Sequence, residues 1–395
     1  MIDRYRNFRT VAAVGIALGV AAFLLALPPF NIRTTIVPIV LGTGALALGL
    51  AALSQDERRL GGFALGVGFL GTIGALWAQG VDQDTLEAVL TGGLLASTLR
   101  FATPLAFAAM GGIFSERSGV VNIGLEGMML MGAFFAVWGS IWSGSWVVGV
   151  VMAMISGGLL ALVHGVFSIH LRADQIVSGF AVNLLALGLT GYLYSSIYPD
   201  GTPTERVDRV PELTLDFLGN VPGIGNFLEQ AFGGLSLLVW LMFAVVILSY
   251  VVLFKTPIGL RIRSVGEHPR AADTVGISVF RVRYAAVVTS GVLAALGGAF
   301  LSIGFTGRFA ENMTSGRGFI ALAAVIFGKW RPGWAFVATL LFGFGFALAI
   351  PLQREADISS NVISTLPYVL TLIAVAGVIG RSIPPAAVGR PYVKQ

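Results

Sequence analysis

Charged residues are scarce in this sequence of 395 residues, where Asp, Glu, Lys and Arg together make up only 11%. A typical soluble domain carries about 25%. The small polar fraction excludes a cytosolic enzyme, a nucleic-acid binder and a disordered protein, although the net charge is +5. Cysteine is absent, which excludes disulfides and thiolate metal sites. The three histidines (His164, His170 and His268) show no ligand spacing, so no metal site is predicted.

Apolar runs dominate what is present, with 56% hydrophobic residues and 52 glycines. A bilayer core of about 30 Å needs about 20 apolar residues per helix. The sequence therefore predicts an all-α polytopic membrane protein with about twelve transmembrane helices, within a range of 10–12. The candidate segments are 11–28, 36–53, 60–79, 86–114, 120–140, 147–169, 175–197, 234–254, 284–304, 317–330, 333–350 and 361–380.

Two of these segments have unusual lengths. Segment 317–330 is short for a span, and we expect a half-helix or a re-entrant piece. Segment 86–114 is long and contains Arg100 and Pro104. It is either one long span or an interfacial helix followed by a short span.

Loop charges predict the orientation. The stretch 255–283 carries six basic residues against two acidic ones, whereas 198–233 carries six acidic residues against two basic ones. The positive-inside rule makes the first a cytoplasmic loop and the second an external loop. One segment, 234–254, separates them, and counting outward places both termini in the cytoplasm.

No motif for energy coupling is present in the chain. There is no GxxxxGK[ST] nucleotide loop, no row of arginines and no buried proton relay. No catalytic residue is predicted either, because no His, Asp or Ser constellation appears. If the protein is a transporter, its driving force comes from a partner. A secondary transporter or channel remains the alternative from another class.

The cytoplasmic loop contains a predicted short helix. Pro269 can occupy the first turn of a helix, and Gly276 can end it at a left-handed position. Ala271 and Ala272 lie between them and would form a small peg for a motor domain to grip. An ordinary basic loop is the alternative.

Two polar breaks interrupt apolar sequence at 122–133 and 311–324, and each places a charged residue directly before glycine. Glycines permit a broken helix whose N-terminus offers free N–H donors to a solute. A structural Glu126–Arg317 pair or an interfacial position is the alternative. The matching pattern suggests an internal repeat, for which an inverted arrangement is the candidate. The translocation path predicted from these breaks contains Asn122, Glu126, Glu311, Asn312, Arg317 and Phe319.

Other polar and small residues add expectations about packing. Gln175 and Asn183 should face inward, either lining the path or bonding to a neighbouring helix. The small residues of 284–304 indicate close helix packing, or else a sliding surface. Glu116 and Arg117 are expected to snorkel at the membrane edge, and His164 is expected to be either packed or interfacial.

Four motifs give the sequence its resemblance to a known family. They are TPL at 103–105 with GGIFSERSGVVNIGLEGMM at 111–129, ADQIVSG at 173–179 with NLLALGL at 183–189, GEHPRAA at 266–272, and GRGFIALAAVIFG at 316–328. The chain resembles permease subunits of ABC importers in the branched-chain amino acid and simple-sugar superfamily, and its motifs are most similar to those of the nucleoside-uptake branch. The resemblance covers roughly 86–380.

The resemblance implies a division of the chain. Residues 1–83 would be an extension with two or three extra helices, 84–385 the permease core and 386–395 a cytoplasmic tail. The loop 255–283 would carry the coupling helix, with six residues that match the family pattern. These are Gly266, Glu267, Pro269, Ala271, Ala272 and Gly276.

The resemblance also implies the rest of a machine in a bacterial or archaeal plasma membrane. A separate cytoplasmic subunit would bind ATP and Mg²⁺, with no cofactor in this chain. An extracytoplasmic binding protein would deliver a small neutral solute, and a second, longer permease would pair with this one. Nucleosides are the expected solute, and ribose-like sugars or branched-chain amino acids are the alternatives.

Overall fold

The computed structural model describes residues 2–26, 36–55, 58–80, 92–201, 206–222, 225–355 and 382–394. These residues form fourteen α-helices and one two-stranded ribbon. The helices in chain order are α1 Ile2–Ala26, α2 Ile36–Ser54, α3 Arg58–Gly80, α4 Gly92–Arg117, α5 Leu125–Ser143, α6 Trp146–Gly165, α7 Gln175–Ile197, α8 Gly225–Phe232, α9 Leu237–Lys255, α10 Pro257–Glu267, α11 Pro269–Thr274, α12 Val279–Ala299, α13 Arg317–Phe327 and α14 Pro332–Glu355.

Two helices continue as wider π-helical turns, α6 through Val166–His170 and α12 through Phe300–Thr306. A 3-10 turn covers Asp216–Asn220. Strands β1 (Glu212–Thr214) and β2 (Gly234–Ser236) pair antiparallel. The ribbon therefore pairs the predicted external loop with the residues just before α9, and the all-helical prediction lacked it.

Within the described ranges, eight helical stretches are long and apolar enough to cross a bilayer. They match eight predicted segments and support a polytopic membrane protein. The short segment 317–330 is confirmed as the 11-residue helix α13, too short to span. The segment 86–114 is one continuous helix from Gly92 onward, which favours the single long span. The predicted segment 361–380 lies outside the described residues.

Several helix starts differ from the predicted ones, and two of these differences have a local cause. The segment predicted at 120 begins at Leu125, because residues 118–124 form a turn with Gly119 at φ +93°. The segment predicted at 234 begins at Leu237, because 234–236 pair as strand β2, and the Ser236 side chain then accepts a hydrogen bond from the Leu238 N–H.

The described residues divide into two compact units. The first contains residues 1–96, 218–231 and 345–382, and the second contains 97–217, 232–344 and 383–395. In the first unit, α1, α2 and α3 pack against one another. Gly19 and Gly49 face the backbone of α3 so closely that a Cβ at either position would meet it. Small residues therefore allow these three helices to approach.

In the second unit, α5, α6 and α12 form the centre. Gly291 of α12 lies against Gly157 of α6, and Gly298 lies against the backbone of Met129 in α5. The close packing predicted for the small residues of α12 is confirmed at these contacts. This packed centre holds the polar breaks described next.

Candidate functional site

The starts of α5 and α13 meet inside the second unit. Glu126 lies in the first turn of α5 and is buried. Its Oε1 accepts the Gly316 N–H at 2.7 Å, and its Oε2 accepts the Gly318 N–H at 2.6 Å. These are the free donors that a helix N-terminus presents to an anion, and the helix dipole adds to the attraction. The Glu126 carboxylate therefore caps α13.

Glycine occupies both donor positions of this contact, and each position has a reason for it. Gly316 has φ +82°, a left-handed conformation that favours glycine. A Cβ on Gly318 would lie about 2.5 Å from the Glu126 nitrogen. The two polar breaks thus form one junction, which we call the Glu126 junction (Glu126, Gly316 and Gly318).

The other residues predicted near 311–319 lie around this junction. The Arg317 guanidinium donates to the carbonyl oxygens of Met313 and Thr314 at 3.0 and 3.1 Å. Glu311 and Asn312 are exposed, and Phe319 is 43% exposed. The predicted path residues are therefore divided between a buried junction and an exposed group.

Amide side chains hold the turn that precedes α5. Asn183 Oδ1 accepts the Gly127 N–H at 2.7 Å, and its Nδ2 donates to the Ile123 oxygen at 3.0 Å. Gln175 Oε1 accepts the Val121 N–H at 2.7 Å. Both amides lie on α7, so they bond one helix to the start of another. The sequence left two roles open for these amides, lining the path or bonding to a neighbouring element, and the bonding is present at both positions.

Asn122 and His164 complete this buried polar layer. Asn122 Nδ2 donates to the Ser290 hydroxyl at 2.9 Å. His164 is fully buried, as predicted for a packed residue, with its ring nitrogens 3.0 Å from the Ser178 hydroxyl and from the Val121 oxygen. Among the described residues, Asn122 Oδ1 and Gln175 Nε2 are buried and have no hydrogen-bond partner. The layer therefore contains one hydrogen-bond acceptor and one donor group that no protein group satisfies.

Glu116 and Arg117 at the end of α4 do not snorkel. Glu116 is buried and its Oε2 accepts a hydrogen bond from the Trp330 ring N–H. Arg117 Nε donates to the Trp330 oxygen at 3.1 Å. The snorkelling prediction was wrong because the turn between α13 and α14 covers this end of α4 and supplies the partners.

The predicted peg has the local structure expected. Pro269 starts the six-residue helix α11, and Gly276 follows it at φ +84°. Ala271 is exposed and Ala272 is buried. A Cβ on Gly266 would overlap the Arg117 backbone oxygen, so the absence of a side chain lets α10 lie against the end of α4.

The segment 383–394, of which the part from 386 onward was predicted as a tail, packs against this loop. The Ala387 N–H donates to the Gly266 oxygen at 2.9 Å, and the Ala386 N–H donates to Glu267 Oε2 at 3.1 Å. Tyr392 is buried with Ala272 in a small apolar cluster. Burial raises the pKa of Tyr392, and its hydrogen bond to Asp273 acts in the same direction.

Arg283 has a role that charge counting missed. It was counted with the loop cations, yet its side chain is fully buried. Its Nε donates to the Ser118 oxygen and its Nη1 donates to the Arg390 oxygen, both at 3.2 Å. Arg283 therefore bonds the turn before α5 to the segment 383–394.

Within the described ranges, no three His, Asp or Glu side chains come together in a way that could hold a metal ion.

Comparison with known proteins identifies a family and several relatives that match most of this chain. The family described as branched-chain amino acid transport system permease component matches residues 94–375. The guanosine ABC transporter permease protein NupQ of Bacillus subtilis is 43% identical over 76% of this chain and 96% of its own length. The nucleoside ABC transporter permease protein NupC of Lactococcus lactis is 40% identical, with the same coverage. The putative glucose ABC transporter permease protein TsgC13 of Haloferax volcanii is 33% identical over 73% of this chain and 92% of its length. No solved structure matches.

Proposed function

The chain belongs to the family of branched-chain amino acid transport system permease components, and we propose from this membership that it forms the nucleoside path of an ATP-driven importer. It is a transport subunit and a multi-pass protein of the plasma membrane. The observation that carries the proposed solute is the similarity, over nearly their full lengths, to permeases named for guanosine and for nucleosides.

The proposed path runs past the Glu126 junction. Its members are the eight predicted residues Asn122, Glu126, Gln175, Asn183, Glu311, Asn312, Arg317 and Phe319. Hydrogen-bond donors and acceptors beside a helix start suit a neutral solute rich in polar edges. The unpartnered Asn122 Oδ1 and Gln175 Nε2 support this assignment, since they offer an acceptor and a donor. The exposed Phe319 offers a flat face to a base.

Coupling to ATP is proposed to occur at α11. The ATP-binding subunit, which holds ATP and Mg²⁺, would contact Gly266, Glu267, Pro269, Ala271, Ala272 and Gly276. The exposure of Ala271 within this short helix supports this role. A second permease and an extracytoplasmic binding protein complete the proposed importer. The start of the family match at residue 94 supports treating 1–83 as an extension of the core.

The proposed orientation places both termini and α11 in the cytoplasm. It is supported by the charge contrast between 255–283 and 198–233. A reporter that works only in the cytoplasm should be active when it is fused after Gln395. An external reporter signal would contradict this topology and, with it, the coupling assignment.

A sugar is the second candidate solute, because one of the relatives is named a putative glucose permease. The test is uptake of labelled guanosine, adenosine, uridine, glucose and ribose in cells with and without this chain. The companion subunits of the transporter are expressed in both cell lines, and ATP depletion is the control.

ATP-dependent uptake of a nucleoside that requires the chain would support the proposal. Uptake of a sugar alone would move the solute to the second candidate. Nucleoside uptake that survives ATP depletion would contradict an ATP-driven importer and favour a secondary transporter.

A further inference from the structure

A groove separates the coupling loop from the segment 383–394. It has a volume of about 530 Å³. One wall is formed by Glu267, His268, Pro269, Arg270 and Ala271, and the other by Ala386, Ala387, Arg390, Pro391, Tyr392 and Val393. The two walls are bonded at one end through the Ala387 N–H to the Gly266 oxygen. The proposed coupling helix is therefore half of a larger surface.

The acidic and basic side chains of this surface differ in their contacts. Glu267 accepts the Ala386 N–H, and Asp273 is hydrogen-bonded to Tyr392. Both carboxylates therefore bond to the segment 383–394. Arg270 and Arg390, by contrast, are exposed on opposite walls of the groove. The groove is thus lined by two arginines and one carboxylate, Glu267, and its net positive charge would favour an acidic partner surface.

Three apolar side chains in this part of the chain are exposed. Val393, which lines the groove, is 47% exposed; Val275, directly after α11, is 74% exposed; and Ile383, at the start of the segment 383–394, is 75% exposed. None of the three lies in a helix long and apolar enough to span the bilayer. Exposed apolar residues next to charged ones are typical of a protein contact. A free nucleotide or another small anion would leave these side chains in water.

From these observations we propose that the segment 383–394 and α11 form one composite docking surface for the ATP-binding subunit. This inference rests on the proposed coupling role of α11 and adds a second wall to it. The partner surface would carry carboxylates opposite Arg270 and Arg390, with an apolar patch opposite Val393. The backbone bonds to Gly266 and Glu267 would transmit force from both walls into α10.

The absence of cysteine makes a direct contact test possible. Single cysteines are introduced at Ala271→Cys, Val393→Cys and Ser196→Cys, and each is labelled with a benzophenone maleimide. The probe is the tagged ATP-binding subunit with which uptake is reconstituted. Ser196 lies at the far end of α7, on the proposed external side, and serves as the control.

Charge reversal tests the function of the second wall. Arg390→Glu is compared with Arg281→Glu, which makes the same charge change at an exposed residue outside α11, the segment 383–394 and the groove. We expect Arg390→Glu to lower uptake at least tenfold, while Arg281→Glu stays within twofold of the original chain. Protein amount in the membrane is measured for both.

The outcomes separate the two proposals. Photo-crosslinks from both Ala271→Cys and Val393→Cys, with loss of uptake in Arg390→Glu, would support the composite surface. A crosslink from Ala271→Cys alone, with normal uptake in Arg390→Glu, would overturn this inference and leave α11 as the coupling helix. No crosslink from either position would overturn both assignments.

Discussion

Glu126 and Gly318 join the starts of two helices, because Glu126 Oε2 accepts the Gly318 N–H at 2.6 Å. The second carboxylate oxygen accepts the Gly316 N–H. A residue from the first turn of α5 therefore completes the N-terminus of α13, which lies about 190 residues further along the chain. Any movement of α13 relative to α5 must lengthen or break these two bonds.

Glu126→Gln should weaken this junction, because an amide supplies only one acceptor oxygen for two N–H donors. We expect a loss of about 1.5–3 kcal/mol in stability, the typical contribution of a hydrogen bond to a charged group. If the junction lines the path, uptake should fall further than the reduced stability alone would explain. Thermal unfolding in detergent and nucleoside uptake measure the two effects.

Glu311→Gln is the control for stability, because this carboxylate lies on the same segment but is exposed. Its unfolding midpoint should stay close to that of the original chain. If Glu126→Gln leaves both uptake and midpoint unchanged, Glu126 has neither the capping role nor the transport role.

Gly318→Ala should disrupt the same junction by steric overlap. Its Cβ would meet the Glu126 backbone, whereas a Cβ on Gly333 would meet nothing within 4 Å. We expect Gly318→Ala to lower the unfolding midpoint and uptake, and Gly333→Ala to be neutral or slightly stabilising, since alanine favours helix. Equal midpoints for the two variants would show that α13 can move away from α5 without cost.

Local signals in the sequence predicted local structure well. Pro269 and Gly276 mark the two ends of α11, because proline fixes φ near its helical value and glycine adopts the left-handed conformation that stops a helix. The shortness of the apolar run predicted α13 as a half-helix. Small residues predicted the close approach of α12 to its neighbours, which Gly291 makes at Gly157.

Partners distant in sequence were not predictable from a single chain. Arg283 looked like one more loop cation, but it is buried by contacts with Ser118 and Arg390, which are 165 and 107 residues away. Glu116 looked like an interfacial acid, and its partner Trp330 lies 214 residues away. Charge counts carry no information about which loop covers which helix end.

Ala271→Trp should separate coupling from folding. Ala271 is exposed within α11, whereas the neighbouring Ala272 is buried with Val265 and Tyr392. We expect Ala271→Trp to abolish uptake while the unfolding midpoint and the amount in the membrane stay normal. Ala272→Trp should instead lower the midpoint by overpacking. Normal ATP-dependent uptake by Ala271→Trp would refute the coupling assignment.

Trp330→Phe should destabilise the contact between the end of α4 and the turn that joins α13 to α14. It removes the ring N–H that bonds the buried Glu116 carboxyl group. Leaving a buried acceptor without its donor costs about 1–3 kcal/mol. Trp334→Phe is the matched control, because that ring is 65% exposed. Its unfolding midpoint should be unchanged.

The double variant Glu116→Met with Trp330→Phe tests whether the cost comes from this one hydrogen bond. Replacing both partners with apolar groups of similar shape is nearly neutral, whereas removing one is not. We therefore expect the double variant to be more stable than Trp330→Phe alone. The comparison is a double-mutant cycle measured by unfolding in detergent. If the two substitutions destabilise additively, Glu116 and Trp330 act independently and the turn between α13 and α14 is held by other contacts.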